Sequence, residues 1–356
     1  MRIVHVNPFH YPFLGGIEHR IHHLSTRLSK KHEVIVLTGR LPGTSAEEDI
    51  DGYKVKRLDS SFLTIYNPPH IRTSGIREAL EGLEPDVVDF HYRWARSYTK
   101  GVISFEAPKV FTWHNSFGEG EGIVKTFSKW NDVLFTRHIR GFARIACVSK
   151  FVMNDLTSRG FPAEKLRAVP NGVEIPAAST KEDDFILFIG RLVRTKGLPY
   201  LLEAMTKVKT DLVICGAGPE MDRLKKRAVV LGVSDRVRFE GVVTEEVKQV
   251  MLSTCKVFVF PSIWESYGIA AAEAMSYGKP VVATNVGGLP EVIGEGGLLV
   301  APRDPSALAG AIAKLLSDDG LRADMGRRAR TRTMTFTWEK AAEDMERVYV
   351  EAMESV

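Results

Sequence analysis

DFILFIGRLVRTKGLPYLLEAMTKV, residues 184–208, reads as a strand ending at Gly190, a loop carrying basic residues, and a helix opening near Leu198. FILFI is continuously apolar rather than alternating, as expected of a strand covered on both faces in a parallel sheet. The same order of parts opens the chain. MRIVHVNPF is a short apolar run, HYPFLGG is a loop, and IEHRIHHLSTRLSKK follows with Ile17, Ile21, Leu24 and Leu28 on one helical face. Two βα units that begin alike, far apart in sequence, divide the chain into two similar halves.

Further alternations fill both halves. HEVIVLTG, PDVVDFH, KVFTWHN and RIACVSK lie in the first, and TDLVICGAG, RVRFEG, KVFVFPS, KPVVAT and GGLLV in the second. Apolar strands separated by helical patterns predict an α/β protein of two doubly wound, Rossmann-like domains facing each other across a cleft. The length of 356 residues agrees, since a single core rarely grows past the common domain size of about 100–150 residues. The Pro- and Gly-containing stretch VPNGVEIPAAST, residues 169–180, is the expected linker. The expected domains are 1–172 and 173–337, with Thr337 capping a last helix over 338–356.

Composition excludes several classes. The apolar fraction of 44% and charged fraction of 26% are those of a globular protein. No apolar run reaches the roughly 18–20 residues of a membrane span, and no secretory pattern opens the chain, so the expected location is cytoplasmic. Cys147, Cys215 and Cys255 are widely separated within apolar runs and read as buried thiols. Up to Val173 the chain holds 24 basic and 18 acidic residues, +6, leaving −2 for the rest of a net +4. That balance suits an anionic ligand in the first half and lacks the basic stripe of a nucleic-acid binder. All ten histidines also fall there, from His5 to His138.

In open parallel sheets a ligand lies beyond the carboxyl ends of the strands, and the candidate residues fall at such ends. In PSIWESYGIAAAEAMSYGKP, Glu265 lies in a loop and Glu273 inside a helix that opens near Tyr267 and Gly268. The first amides of that helix, at Gly268, Ile269 and Ala270, can receive a phosphate. Two carboxylates beside a phosphate would repel it unless they face hydroxyl groups, so sugar and ribose hydroxyls are their expected targets. The spacing equally allows Glu273 to cap or salt-bridge an ordinary helix. Arg191 and Lys196, after the strand FILFI, can hold a diphosphate, or can be solvated loop residues. ICGAGPEM has Gly216 and Gly218 but Met221 where a dinucleotide fingerprint places a third glycine, so a close turn at the cleft edge suffices. His114 closes a strand before a Gly-rich loop, placed either to donate to a substrate oxygen or to satisfy a strand end. His22 and His23 read as solvated or core-edge residues. Asp49-Ile50-Asp51 follows two glutamates in a polar turn and reads as solvated, and no metal-ligand cluster is evident.

This ordered set resembles the GT-B glycosyltransferases, specifically the retaining enzymes of glycosyltransferase family four. The resemblance rests on Gly15-Gly16, His114, VSK at 148–150, PNGVE at 170–174, GRLVRTKG at 190–197, GAGPE at 216–220, Glu265 with Glu273, and GGLPE at 287–291. It implies transfer of a hexosyl group, with retention, from a UDP- or GDP-sugar. Arg191 and Lys196 would neutralise the departing diphosphate in place of a metal. Glu265, with the backbone of Ser266, Tyr267, Gly268 and Ile269, would grip the hexose and phosphate, and Glu273 the ribose hydroxyls. Gly16 would let its loop close over the diphosphate, His114 would sit by the donor sugar, and Gly241-Val242-Val243 would form a shelf for the base. Residues 1–172 would take the acceptor, residues 173–337 the donor, and the helix after Trp338 would pack back on the first domain. No cofactor beyond the donor is implied. Two rival readings share the fold, a non-hydrolysing nucleotide-sugar epimerase and a non-catalytic scaffold.

The acceptor is expected to be a glycan, a lipid-linked molecule or a small molecule. Residues 121–144 set Lys125, Lys129, Arg137, Arg140 and Arg144 among Phe127, Trp130, Leu134 and Phe135. Such a segment suits peripheral contact with an anionic membrane, or is a helix showing its apolar face to the core.

Overall fold

The computed structural model describes residues 1–63, 70–115, 122–177 and 182–355, the side chains of 122–125 and 127 excepted. The chain forms two compact units, Met1–Gly172 with Trp338–Val356, and Val173–Thr337.

Unit 1 begins β1 (Arg2–Val6), α1 (Gly16–Leu28), β2 (Glu33–Gly39), β3 (Glu47–Ile50), β4 (Tyr53–Leu58), β5 (Ser60–Leu63), β6 (His70–Thr73). It continues α2 (Ile76–Leu83), β7 (Val87–Phe90), α3 (Arg96–Ile103), β8 (Lys109–Trp113), α4 (Gly122–Ile139), β9 (Arg144–Cys147), α5 (Lys150–Ser158) and β10 (Leu166–Ala168). Its sheet runs β10-β9-β8-β7-β1-β2-β4-β3, parallel except for β3 on β4. β5 and β6 pair apart as a two-stranded antiparallel sheet. Register places His5 beside Asp89 on β7, so chemistry 84 residues apart becomes lateral neighbours.

Unit 2 comprises β11 (Phe185–Ile189), α6 (Leu198–Ala204), β12 (Asp211–Cys215), α7 (Met221–Val230), β13 (Val237–Gly241), α8 (Glu245–Thr254) and β14 (Val257–Phe260). α9 (Ile269–Ser276), β15 (Val281–Thr284), α10 (Leu289–Ile293), β16 (Gly297–Val300), α11 (Pro305–Ser317) and α12 (Asp319–Thr333) complete it. The strand order β13-β12-β11-β14-β15-β16, wholly parallel, is the doubly wound order whose direction reverses between β11 and β14. The final helix, α13 (Trp338–Met353), belongs to unit 1, where it packs on α1 and on β7, β8 and β9.

The apolar strands form the cores. Ile3, Val4 and Val6 of β1 and Ile186, Leu187 and Phe188 of β11 are excluded from solvent. Each such side chain contributes about 1.5–3 kcal/mol through burial, which is why continuous apolar runs are held between helical layers.

EEDI corrects one expectation. It is the exposed edge strand β3 rather than a turn, and only Asp51 lies in the turn beyond, at φ 45°. β4 alternates buried and exposed residues, and β5 and β6 are half-exposed, so their sequences lack the continuous apolar run that marks the central strands.

Candidate functional site

In unit 2 the candidate residues gather at the β11 and β14 carboxyl ends, where the winding reverses. The Lys196 ammonium lies 2.6 Å from Glu265 Oε2 and 4.7 Å from the centre of the Phe260 ring. Both charged side chains are half-buried. Arg191 is exposed at the head of the same loop, and among the described residues no ion pair or side-chain hydrogen bond engages it. The two loops are tied by backbone, the Ile263 amide donating to the Thr195 carbonyl at 2.7 Å.

α9 opens at Gly268, whose φ of +100° is a left-handed conformation that costs other residues energy. A Cβ there would also run into the Leu289 side chain. Ile269 and Ala270 then present the unpaired amides of a helix start. Ser266 and Tyr267 are buried just before it.

Glu273 sits on the second turn of α9 and accepts from Lys248 Nζ at 3.1 Å, which also pairs with Glu245 at 3.0 Å. Burial pulls the Lys248 ammonium toward neutrality, but the two carboxylates outweigh it and its pKa is raised. Lys248 was missed by sequence reasoning because α8 reads as an ordinary polar helix. Its only signal was a lysine three residues after Glu245, on a helix ahead of the β14 strand.

Gly216 and Gly218 serve the packing of strand-end loops. A Cβ at Gly216 would strike the Gly190 carbonyl and one at Gly218 the Leu192 carbonyl, while the Leu192 amide donates to Ala217 at 2.8 Å. Gly241 accepts from the Gly216 amide, Val242 beyond it is exposed and Val243 half-buried. This is an apolar ledge at the β13 end.

In unit 1, Gly15 precedes α1 and Gly16 is its exposed first residue. A Cβ at Gly16 would meet nothing within 4 Å among the described residues, so no contact with them demands glycine there. His114, just after β8, is half-buried and joins a file of imidazoles. His114 Nε2 lies 3.0 Å from His91 Nδ1, and His91 Nε2 lies 2.9 Å from His5 Nδ1. Asp89 flanks the inner end, accepting from Tyr349 Oη at 2.7 Å and Thr112 Oγ1 at 2.8 Å. Burial, with the nearby Arg20 cation, holds His114 well below the usual histidine range. Burial and neighbouring cations do the same to His91, and push His5 down to about 3. Burial pushes Asp89 up to about 7. These three histidines, like His10, which burial also lowers to about 3, are therefore neutral and add nothing to the positive field of this half.

His5, Asp89 and His91 are also the described group whose ligand atoms converge, within 4.8 Å of one another. The 2.9 Å between the two nitrogens is a hydrogen-bond distance. Among the described residues His5 Nε2 has no partner, whereas a metal-bound imidazole normally donates its other N–H. The residues fit a hydrogen-bonded network better than a metal.

The three cysteines are buried and unpaired, with burial pushing Cys147 and Cys255 up to about 12 and Cys215 to about 11. His22 is a core-edge residue on Tyr53 Oη at 3.0 Å, and His23 stacks on Trp338. In the 121–144 segment, Phe135 is buried, Leu134 half-buried and Trp130 exposed, with Lys129, Arg137 and Arg140 also exposed. Arg144 is paired with Glu351 at 2.9 Å. Glu121 and the Gly-rich loop before it lie outside the described residues, as do the side chains of Lys125 and Phe127.

Comparison with known proteins agrees with this architecture. The family described as glycosyl transferases group 1 matches residues 174–332, and glycosyltransferase family 4 matches residues 14–175. A D-rhamnosyltransferase of Pseudomonas aeruginosa is 30% identical over 70% of this chain and 69% of its own. An uncharacterized glycosyltransferase of Methanocaldococcus jannaschii is 27% identical over 96% of each chain. Among solved structures, Anabaena HepE in complex with UDP-glucose superposes with a TM-score of 0.81 at 18% identity, over 98% of each chain.

Proposed function

This chain belongs to glycosyltransferase family 4, the glycosyl transferases group 1 with the GT-B fold, and we propose that it transfers a hexosyl group from a UDP- or GDP-sugar to a hydroxyl acceptor, with retention and without a metal ion. The observation that carries this reading is the half-buried Lys196–Glu265 pair at the reversal of strand order, beside the start of α9. A diphosphate there is bound by Lys196, Arg191 and the first amides of α9, each charge-assisted bond contributing about 1.5–3 kcal/mol. As the glycosidic bond breaks, these same groups stabilise the negative charge that develops on the leaving phosphate. Glu265, relieved of Lys196 by the phosphate, turns its acceptors to the hexose hydroxyls, and Glu273 accepts from the ribose. The exposed ledge at Val242 and Val243 supports the base, and within unit 1 Gly16 and His114 are the residues that face a substrate.

The UDP-glucose named with the Anabaena structure favours uridine over guanosine, and the Pseudomonas name favours a hexose. The acceptor is a glycan, a lipid-linked molecule or a small molecule. The lipid-linked option draws support from Trp130 and Val133, exposed beside Lys129, Arg137 and Arg140, which suit peripheral contact with the cytoplasmic face of an anionic membrane. No helix among the described residues is long and apolar enough to cross one.

A panel of UDP-, GDP- and ADP-sugars, scored by thermal shift and by diphosphate release, tests the reading. One UDP- or GDP-sugar should raise the melting temperature and turn over; no shift with any member overturns it.

A further inference from the structure

The file His5–His91–His114 has a direction, and its inner end sets it. Each neutral imidazole has one N–H and one lone pair, so each hydrogen bond in the file fixes the next ring. Two arrangements are self-consistent. In one, the protons sit on Nε2 of every ring, each donates inward, and the last N–H, on His5 Nε2, is left in the core. In the other, they sit on Nδ1 and donate outward, leaving His5 Nε2 as a bare lone pair. His5 Nε2 is wholly buried and, among the described residues, has no hydrogen-bond partner. A buried unpaired N–H is rarer and costlier than an unfilled acceptor, so the outward arrangement wins. Asp89 Oδ2 stands farther from both nitrogens, 3.6 Å from His5 Nδ1 and 3.5 Å from His91 Nε2, so the shared proton lies between the imidazoles, 2.9 Å apart, and the buried His5 Nε2 decides which ring carries it.

We propose that His5 and His91 are positioning residues for His114, fixing it as the Nδ1–H tautomer with its Nε2 lone pair engaged, so that Nδ1–H is the only donor the ring offers a ligand. The proposal rests on the reading of His114 as a substrate-facing residue. The neutral state that the file requires is held by burial and by the cations Arg20 and Arg93, while Asp89 and Tyr349 are occupied with each other. A wrong-tautomer ring would present a lone pair to a sugar hydroxyl or phosphate oxygen, and an oxygen acceptor would then be repelled rather than bound.

Long-range proton–nitrogen NMR of the full chain at pH 7, without any ligand, reads each tautomer directly and needs no activity, so its result is independent of whether the transferase reading holds. The expected result is His114 with Nδ1 protonated and Nε2 bare; the reverse pattern, or one equivalent of zinc retained after purification, overturns the proposal. Two substitutions separate positioning from packing. In His91→Asn the amide replaces the Nδ1–H donor, and transfer should stay within about threefold of wild type. In His91→Phe the donor is lost, kcat should fall about tenfold with little change in KM, and the acidic limb of the pH profile should move up by about one pH unit as His114 Nε2 becomes free to protonate. Equal losses in both variants with an unmoved acidic limb would assign His91 to packing alone.

Discussion

Lys248 on α8 holds the Glu273 carboxylate at 3.1 Å, although 25 residues separate them in sequence. A carboxylate has about four acceptor sites, so it can keep this lysine and still receive a ribose diol. Glu273→Gln exchanges one acceptor for a donor and breaks that arrangement. Nucleotide-sugar affinity should fall by about 1–3 kcal/mol, tenfold to a hundredfold. Unchanged affinity in titration calorimetry would leave Glu273 as a tie between two helices.

Lys196→Ala and Arg191→Ala separate turnover from folding. Arg191 is solvent-exposed, and the half-buried Lys196–Glu265 pair contributes about 1 kcal/mol or less to stability. Both variants should melt within a few degrees of wild type while kcat falls a hundredfold or more. A wild-type rate in either removes that residue from the diphosphate site.

The proposed metal independence rests on the basic side chains of Arg191 and Lys196. Transfer should persist in excess EDTA and gain nothing from manganese. Activity lost to EDTA and restored by manganese would show that the cations of Arg191 and Lys196 do not suffice.

The buried histidines make stability depend on pH. His5 and His91 have folded pKa values below their unfolded ones, so their contribution is present above about pH 6.5 and is lost as pH falls toward the folded values, about 3 for His5. Each excluded proton steepens that loss by up to about 1.4 kcal/mol per pH unit. Asp89 has the opposite sign. Its folded value is raised to about 7, so its contribution is present below about pH 4 and is lost as pH rises through 7. Thermal melts should show falling stability from pH 6.5 to 4, and Asp89→Asn should steepen that fall, because the proton that folded Asp89 takes up between about pH 7 and 4 partly offsets those the imidazoles exclude. An acid limb unchanged in His5→Gln would place the loss elsewhere.

Membrane contact through α4 should appear as flotation with anionic liposomes at low salt and disappear with Lys129→Glu and Arg140→Glu together. Recovery wholly in the unbound fraction would favour a soluble acceptor.

The central strands were legible because burial on both faces demands continuous apolar runs, as in FILFI and VFVF. The flanking β3 to β6 were not, because edge strands and hairpins show solvent half their residues and look like polar loops. The Lys196–Glu265 neighbourhood could be anticipated from strand ends and a glycine-opened helix. Lys248 could not, since its meaning depends on how α8 lies against α9. The imidazole file was equally hidden. His5 lies on β1 and His91 and His114 just past the ends of β7 and β8, and only sheet register places them in line.

Tyr349 donates to Asp89 from 260 residues downstream, and the helix that carries it completes unit 1 after all of unit 2 has been spelled out. On the ribosome, Val173–Thr337 is therefore a continuous segment able to fold while unit 1 still awaits α13. Until those last residues emerge, the surfaces of β7, β8 and β9 that α13 covers stay open to chaperones and to other nascent chains. The order of synthesis makes unit 1, the first to be translated, the last to close.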